Sequence, residues 1–146
     1  MTMTKCLAAL ACLCLPWAAL ATAPATPPAT DLPADCARAQ TQRQLNACAY
    51  ADFEVAQAGY AAVFRDLSAG VDSAQRTLLR TAQTAWLQYR TAACDFEASG
   101  VRGGSAEPMV RMQCQTRMTR ARTTELRRQL NCPEGDLSCV RPTPKK

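Results

Sequence analysis

The stretch "QTAWLQYRTAACDFE", Gln83 to Glu97, decides how this chain is read. Trp86, Tyr89, Ala93 and Phe96 recur at three- and four-residue steps, which places them on one side of a helix. Extended backwards through Ala85, Ala82, Leu79 and Leu78, the same stripe predicts a helix over 74–98. Working upstream, Leu45, Cys48, Ala49, Phe53, Ala56, Tyr60, Val63, Phe64 and Leu67 repeat the pattern and predict a helix over 38–67. Gly70 closes it, and Asp72 or Ser73 can cap the next helix. Downstream, "SGVRGGSAEP" (Ser99–Pro108) is a Gly-rich loop, and a third helix is expected over 107–130 with Pro108 in its first turn. Strand signals are almost absent. The fold expected is therefore all-α: a small three-helix bundle, stapled by disulfides and built on an antiparallel helical hairpin, because the first two helices share so short a connection.

The two ends read differently. Lys5, the apolar run "CLAALACLCL", Pro16 and Ala19-Leu20-Ala21 make residues 1–21 a cleavable export signal. The run is too short to span a bilayer, and nothing later is apolar enough, so no stable membrane anchor is expected after cleavage. Residues 22–35 form a Pro/Ala-rich extended leader, residues 36–131 the helical domain, and residues 132–146 a Cys-containing turn and tail. A periplasmic or secreted location follows.

Export changes the cysteine arithmetic. Three of the nine cysteines lie in the signal, leaving Cys36, Cys48, Cys94, Cys114, Cys132 and Cys139. An even number in a small exported chain argues for disulfides. With no histidine and no CxxC pair, neither a metal nor any other cofactor is expected. Six cysteines allow 15 pairings. Pairing Cys48 with Cys94 sets the hairpin in a register that places Trp86 on Ala56, Tyr60 on Ala82, Phe53 on Tyr89 and Val63 on Leu79. The same register brings Arg90 to Asp52. Cys36 with Cys114 would then tie the third helix across the hairpin, and Cys132 would pair locally with Cys139.

Catalysis finds little to work with. General acid–base chemistry usually recruits histidine, and oxidised cysteines are not nucleophiles. Asp52 with Glu54, and Asp95 with Glu97, are spaced to point to different helix faces. The chain is expected not to be an enzyme. After signal removal it carries about +4, unevenly: residues 31–75 hold six acids and three Arg, while 76–146 hold thirteen Lys or Arg and six acids. Arg111, Arg117, Arg120, Arg122, Arg127 and Arg128 spread around the third helix. They are either a solvated face or a surface for an anionic envelope polymer or an acidic protein. Export disfavours nucleic acid.

"CARAQTQRQLNAC", "AQTAWLQYRTAAC", "GGS" and "CQTRMTRARTTEL", in that order, resemble the N-terminal domain of the LprI-type lysozyme inhibitors, over Cys36 to about Leu130. The resemblance is carried by Ala82, Gln83, Trp86, Tyr89, Arg90 and Cys94, and by Cys114, Thr119, Arg122 and Leu126, with Asp52 counted among the structural motif residues. It departs at Gln57, Tyr60, Ala61 and Phe64, where the family usually has an Asp and then a Leu-Asn pair followed by Tyr. Cys132 and Cys139 lie outside the shared four-cysteine pattern. The resemblance implies an exported, non-catalytic binding protein that inhibits lysozyme or an endogenous peptidoglycan hydrolase by steric blocking. The contact elements expected are loops and helix ends, with Arg102, Gly103, Gly104, Ser105, Glu107, Arg117, Arg120 and Arg127 as candidates. A basic lysozyme would be repelled at long range, leaving the acidic first half, or an acid-rimmed target, to satisfy the charges. The competing reading is an envelope adaptor that binds through the Arg-rich third helix.

Overall fold

The computed structural model describes residues 36–140. The expected signal (1–21), leader (22–35) and final tail residues 141–146 lie outside them. The described residues form three helices and, among them, no strand: α1 (Gln42–Gly70), α2 (Ser73–Ala98) and α3 (Glu107–Leu130). None is long and apolar enough to cross a membrane.

Side-chain caps set the starts of α1 and α2. Thr41 accepts from the Gln44 amide while Gln44 reaches back to the Thr41 amide, and Asp72 and Gln75 do the same for α2. The first helix therefore begins at Gln42, later than its apolar pattern suggested. The preceding Cys36–Arg38 is a separate 3-10 turn. Only Val71 and Asp72 separate α1 from α2, and both are extended, which reverses the chain.

The hairpin is there, but it is not the closest pair. The backbones of α1 and α2 scarcely approach each other, whereas α3 lies along α1 for most of its length. Buried Ala47, Ala49 and Ala56 on α1, with Thr116, Thr119 and Thr123 on α3, are small enough to permit that approach. The two helices run parallel: Gln42 reaches Met109 near their starts, and Asp52 reaches Arg120 further along. Bulkier side chains fill the space between α1 and α2, where the Tyr60 ring stacks on Trp86 at 5.7 Å and on Phe64 at 5.9 Å. The apolar core sits at the far end of the bundle. Tyr60, Val63, Leu67, Val71 and Leu126 are buried there, with Phe64, Leu79, Leu130 and Val140 packed around them.

The disulfides correct two expected pairings. Cys36 bonds to Cys48 and Cys94 to Cys114, instead of Cys48 to Cys94 and Cys36 to Cys114. Cys132 bonds to Cys139, the local pair. Because α3 and not α2 is the close neighbour, the α2 cysteine finds its partner on α3, and Cys48 is left to the turn just before its own helix. The expected register fails with it. Asp52 pairs with Arg120, not Arg90, and Trp86 meets Tyr60, not Ala56. Helix α2 is also rotated. Gln83, Arg90, Cys94 and Ala98 are buried, while Leu78, Tyr89 and Phe96, expected inside, are exposed.

Candidate interaction surface

The near end of the bundle is capped by the α2–α3 connection. A 3-10 turn at Ser99–Val101 continues into a turn through Ala106. Val101, Arg102, Gly103, Gly104 and Ser105 are all exposed, yet their backbone is held at several points. Gly104 N donates to Val101 O, Glu107 N to Gly104 O, and Gly103 N to the Glu107 carboxylate at 2.7 Å. Asn46 Nδ2 donates to Ser105 O at 3.0 Å, fastening the loop to α1. The Cys94–Cys114 bond closes the segment covalently at its base. Gly103 has φ +75°, a left-handed conformation that side chains disfavour, and a Cβ at position 104 would meet Val101 O at 3.1 Å. The glycines thus allow a tight, protruding and pinned loop. Glu107 is its internal anchor: partly buried, it also accepts from Arg111 at 2.5 Å.

The arginines of α3 are less available than their number implies. Arg111 pairs with Asp95 and Glu107, Arg117 with Glu97, Arg120 with Asp52, and Arg122 with Glu125. Arg127 and Arg128 are exposed, and Arg127 lies beside Val55 and Gly59 of α1. Two of the carboxylates weighed as an acid–base pair, Asp95 and Glu97, are thereby each held by an arginine. Asp52 is held by Arg120 in the same way, while Glu54 is exposed.

The sequence motif residues converge between the helices. Arg90 lies over the rings of Trp86 (5.0 Å) and Phe53 (5.4 Å), and Arg122 lies 5.9 Å from the Trp86 ring. Arg90 Nη1 donates to Gln57 Oε1 at 3.0 Å and to Thr119 Oγ1 at 2.7 Å. Burial makes its charge harder to keep, and its pKa falls below the usual arginine value, offset in part by Tyr60. Burial likewise pushes the Tyr60 phenol up to about 12, against the pull of Arg122 and Arg90. Trp86 is half-buried and Leu126 fully so. This cluster ties α1, α2 and α3 together. Of the motif residues, Tyr89 turns outward, as do Ala82 and Asp52.

The sequence reading missed the outer face of α2. Leu78, Tyr89 and Phe96 are 71%, 64% and 81% exposed, and alanines lie between them. The available signal was Arg90, a charged residue whose guanidinium finds its acceptors only on the inner side. At the far end a groove of about 330 Å³ opens among Leu67, Val71, Leu78, Leu79 and Leu126. Among the described residues, no three His, Cys, Asp or Glu side chains gather as a metal site would require.

Comparison with known proteins adds a family. The family model described as "Lysozyme inhibitor LprI" matches residues 34–126. An uncharacterized protein of Rhizobium meliloti (strain 1021) is 33% identical over 114 residues, covering 69% of this chain and 82% of that protein. No solved structure matches.

Proposed function

We propose that this chain, which belongs to the lysozyme inhibitor LprI family, is exported and blocks a peptidoglycan-cleaving enzyme, with Val101–Ser105 entering the glycan cleft. The observation that carries the reading is the pinned loop. It projects five exposed residues from the end of the bundle, and hydrogen bonds and a disulfide hold it in shape before any partner arrives. Little conformational entropy is then lost on docking.

The loop's chemistry fits such a cleft. Glycan-cleaving enzymes usually work through a pair of Asp or Glu residues flanking the scissile bond. Arg102, the loop's one charged residue, offers a planar fork that binds a carboxylate through two parallel hydrogen bonds. Val101 supplies an apolar contact beside it. The net positive charge favours an enzyme whose cleft rim is acidic over a strongly basic one. An adaptor role through α3 draws less support, because Arg111, Arg117, Arg120 and Arg122 already face carboxylates of this chain.

The test is a cell-wall lysis assay with the chain from residue 22 onward, produced in an oxidising compartment. It would be run against a basic lysozyme and against an acidic peptidoglycan hydrolase. Micromolar protein is expected to slow lysis by the acidic enzyme more strongly. Arg102→Glu should raise the concentration for half-inhibition at least tenfold with helical content unchanged. Undiminished lysis by both enzymes would overturn the reading.

A further inference from the structure

Helix α2 carries two apolar faces, and the bundle uses one. On the other, Leu78, Ala82, Ala85, Tyr89, Ala92 and Phe96 are all exposed. Their spacing alternates between four and three residues, the 3.5-residue period of a coiled-coil seam. Between Thr81 and Cys94 the only charged residue is Arg90, which is 8% exposed and faces inward. Loss of charge around an exposed aromatic residue, here Tyr89, is the compositional mark of an interface core, and the two acids that flank Phe96, Asp95 and Glu97, are held by Arg111 and Arg117.

We propose that this face pairs with a second copy of the chain, the two α2 helices antiparallel about a two-fold axis level with Leu87. Such an interface requires every contact to occur twice, once from each copy. The seam meets that condition. Antiparallel pairing puts Tyr89 of each copy against Ala85 of the other, Ala82 against Ala92, and Leu78 against Phe96. The alanines let the helices approach closely, and the large side chains at the other levels have somewhere to go. For Phe96 that place already exists: Leu78 and Ala82 line the groove of about 330 Å³ whose walls include Leu67, Val71, Leu79 and Leu126. The ring that is 81% exposed on one copy is thereby delivered to the apolar groove of the other.

The area is sufficient. A wholly covered aromatic side chain buries roughly 150–250 Å², and the exposed parts of Tyr89, Phe96, Leu78 and the alanines together can give up to roughly 600 Å² per copy. Twice that reaches the lower end of standard stable interfaces, at roughly 1,200 Å² in total. Pairing of α2 also leaves the two loops at opposite ends of the dimer, so this interface is independent of the proposed inhibitory contact.

Sedimentation of the chain from residue 22 onward, over micromolar to hundred-micromolar concentrations, should show a monomer–dimer equilibrium. Phe96→Asp and Tyr89→Asp should each weaken it at least tenfold with unchanged circular dichroism, while Arg102→Glu should leave it intact. The register has its own test. Ala82→Glu and Ala92→Lys should each weaken association, and the double variant, which sets Glu against Lys twice, should restore it. A chain that stays monomeric throughout would overturn the proposal, as would a double variant that fails to recover. Dimerisation that appears only after residues 22–35 are removed would assign the face to the leader instead.

Discussion

Arg90 on α2 donates to the Thr119 hydroxyl on α3 at 2.7 Å, and the same nitrogen donates to Gln57 on α1 at 3.0 Å. One guanidinium therefore joins all three helices, and both partners are neutral. A charge-assisted bond to a carboxylate is about twice as strong as one to a neutral group. Gln57→Glu keeps the side-chain length and supplies that carboxylate, so it should stabilise the fold by about 1 kcal/mol. Held by Arg90, the new carboxyl would have its folded pKa depressed. The gain is then present above the unfolded pKa and lost as pH falls through the folded one. Urea unfolding of both proteins at pH 7 and pH 3 measures it.

Thr119→Val removes one acceptor from the same buried guanidinium while preserving shape. Leaving that donor with a single partner should cost about 1–3 kcal/mol. The loss would appear as a lower urea midpoint with an unchanged slope.

Tyr60 is 5% exposed, and its hydroxyl finds no hydrogen-bond partner among the described residues. Tyr60→Phe should be neutral or stabilising by up to about 1 kcal/mol at pH 7. The phenol is pushed up to about 12 when folded, from an ordinary value of 10.0. Between those pH values the unfolded chain releases a proton that the folded chain retains, so stability falls as pH rises from 10 towards 12. That fall should be smaller in Tyr60→Phe, as thermal unfolding followed by circular dichroism would show.

The Arg120–Asp52 pair joins α1 and α3 at the surface, with both side chains more than half exposed. Solvent screens such pairs, and Arg120→Gln should change stability by less than about 1 kcal/mol. Unfolding midpoints at low and high salt should differ less for the variant than for the parent.

Much of the fold was legible because periodicity reports apolar stripes directly. The α1 stripe from Ala49 to Leu67 is buried or half-buried as read, and α3 spans 107–130 as expected. The pairing of elements was not legible. Periodicity ranks positions by hydrophobicity, so it put Tyr89 and Phe96, not Gln83 and Arg90, on the inner face, and Arg90 was expected to meet Asp52. The reverse holds, because Arg90 has acceptors on both neighbouring helices. The alanines and threonines that bring α3 onto α1 give too weak an apolar signal to announce a close interface. Without that contact, the sequence offered no reason to match Cys94 with Cys114. The loop residues Arg102 to Ser105 were legible as exposed; the anchoring by Asn46 and Glu107 depends on side chains distant in sequence or expected to point outward.

Removing the α2–α3 bridge with Cys94→Ala and Cys114→Ala should cost about 3 kcal/mol, as expected for a closed loop of this length. If the loop is the inhibitory element, inhibition should weaken under conditions where the double variant is still folded.

The bond between Cys94 and Cys114 closes the base of the loop and fixes α2 against α3, so both the packing and the loop depend on how the cysteines are joined. Tryptic peptide mapping without reduction reads this directly. The expected result is a peptide containing Cys94 linked to one containing Cys114, Cys36 linked to Cys48, and Cys132 with Cys139 inside a single peptide. Recovery of Cys48 linked to Cys94, or of Cys36 linked to Cys114, would contradict it.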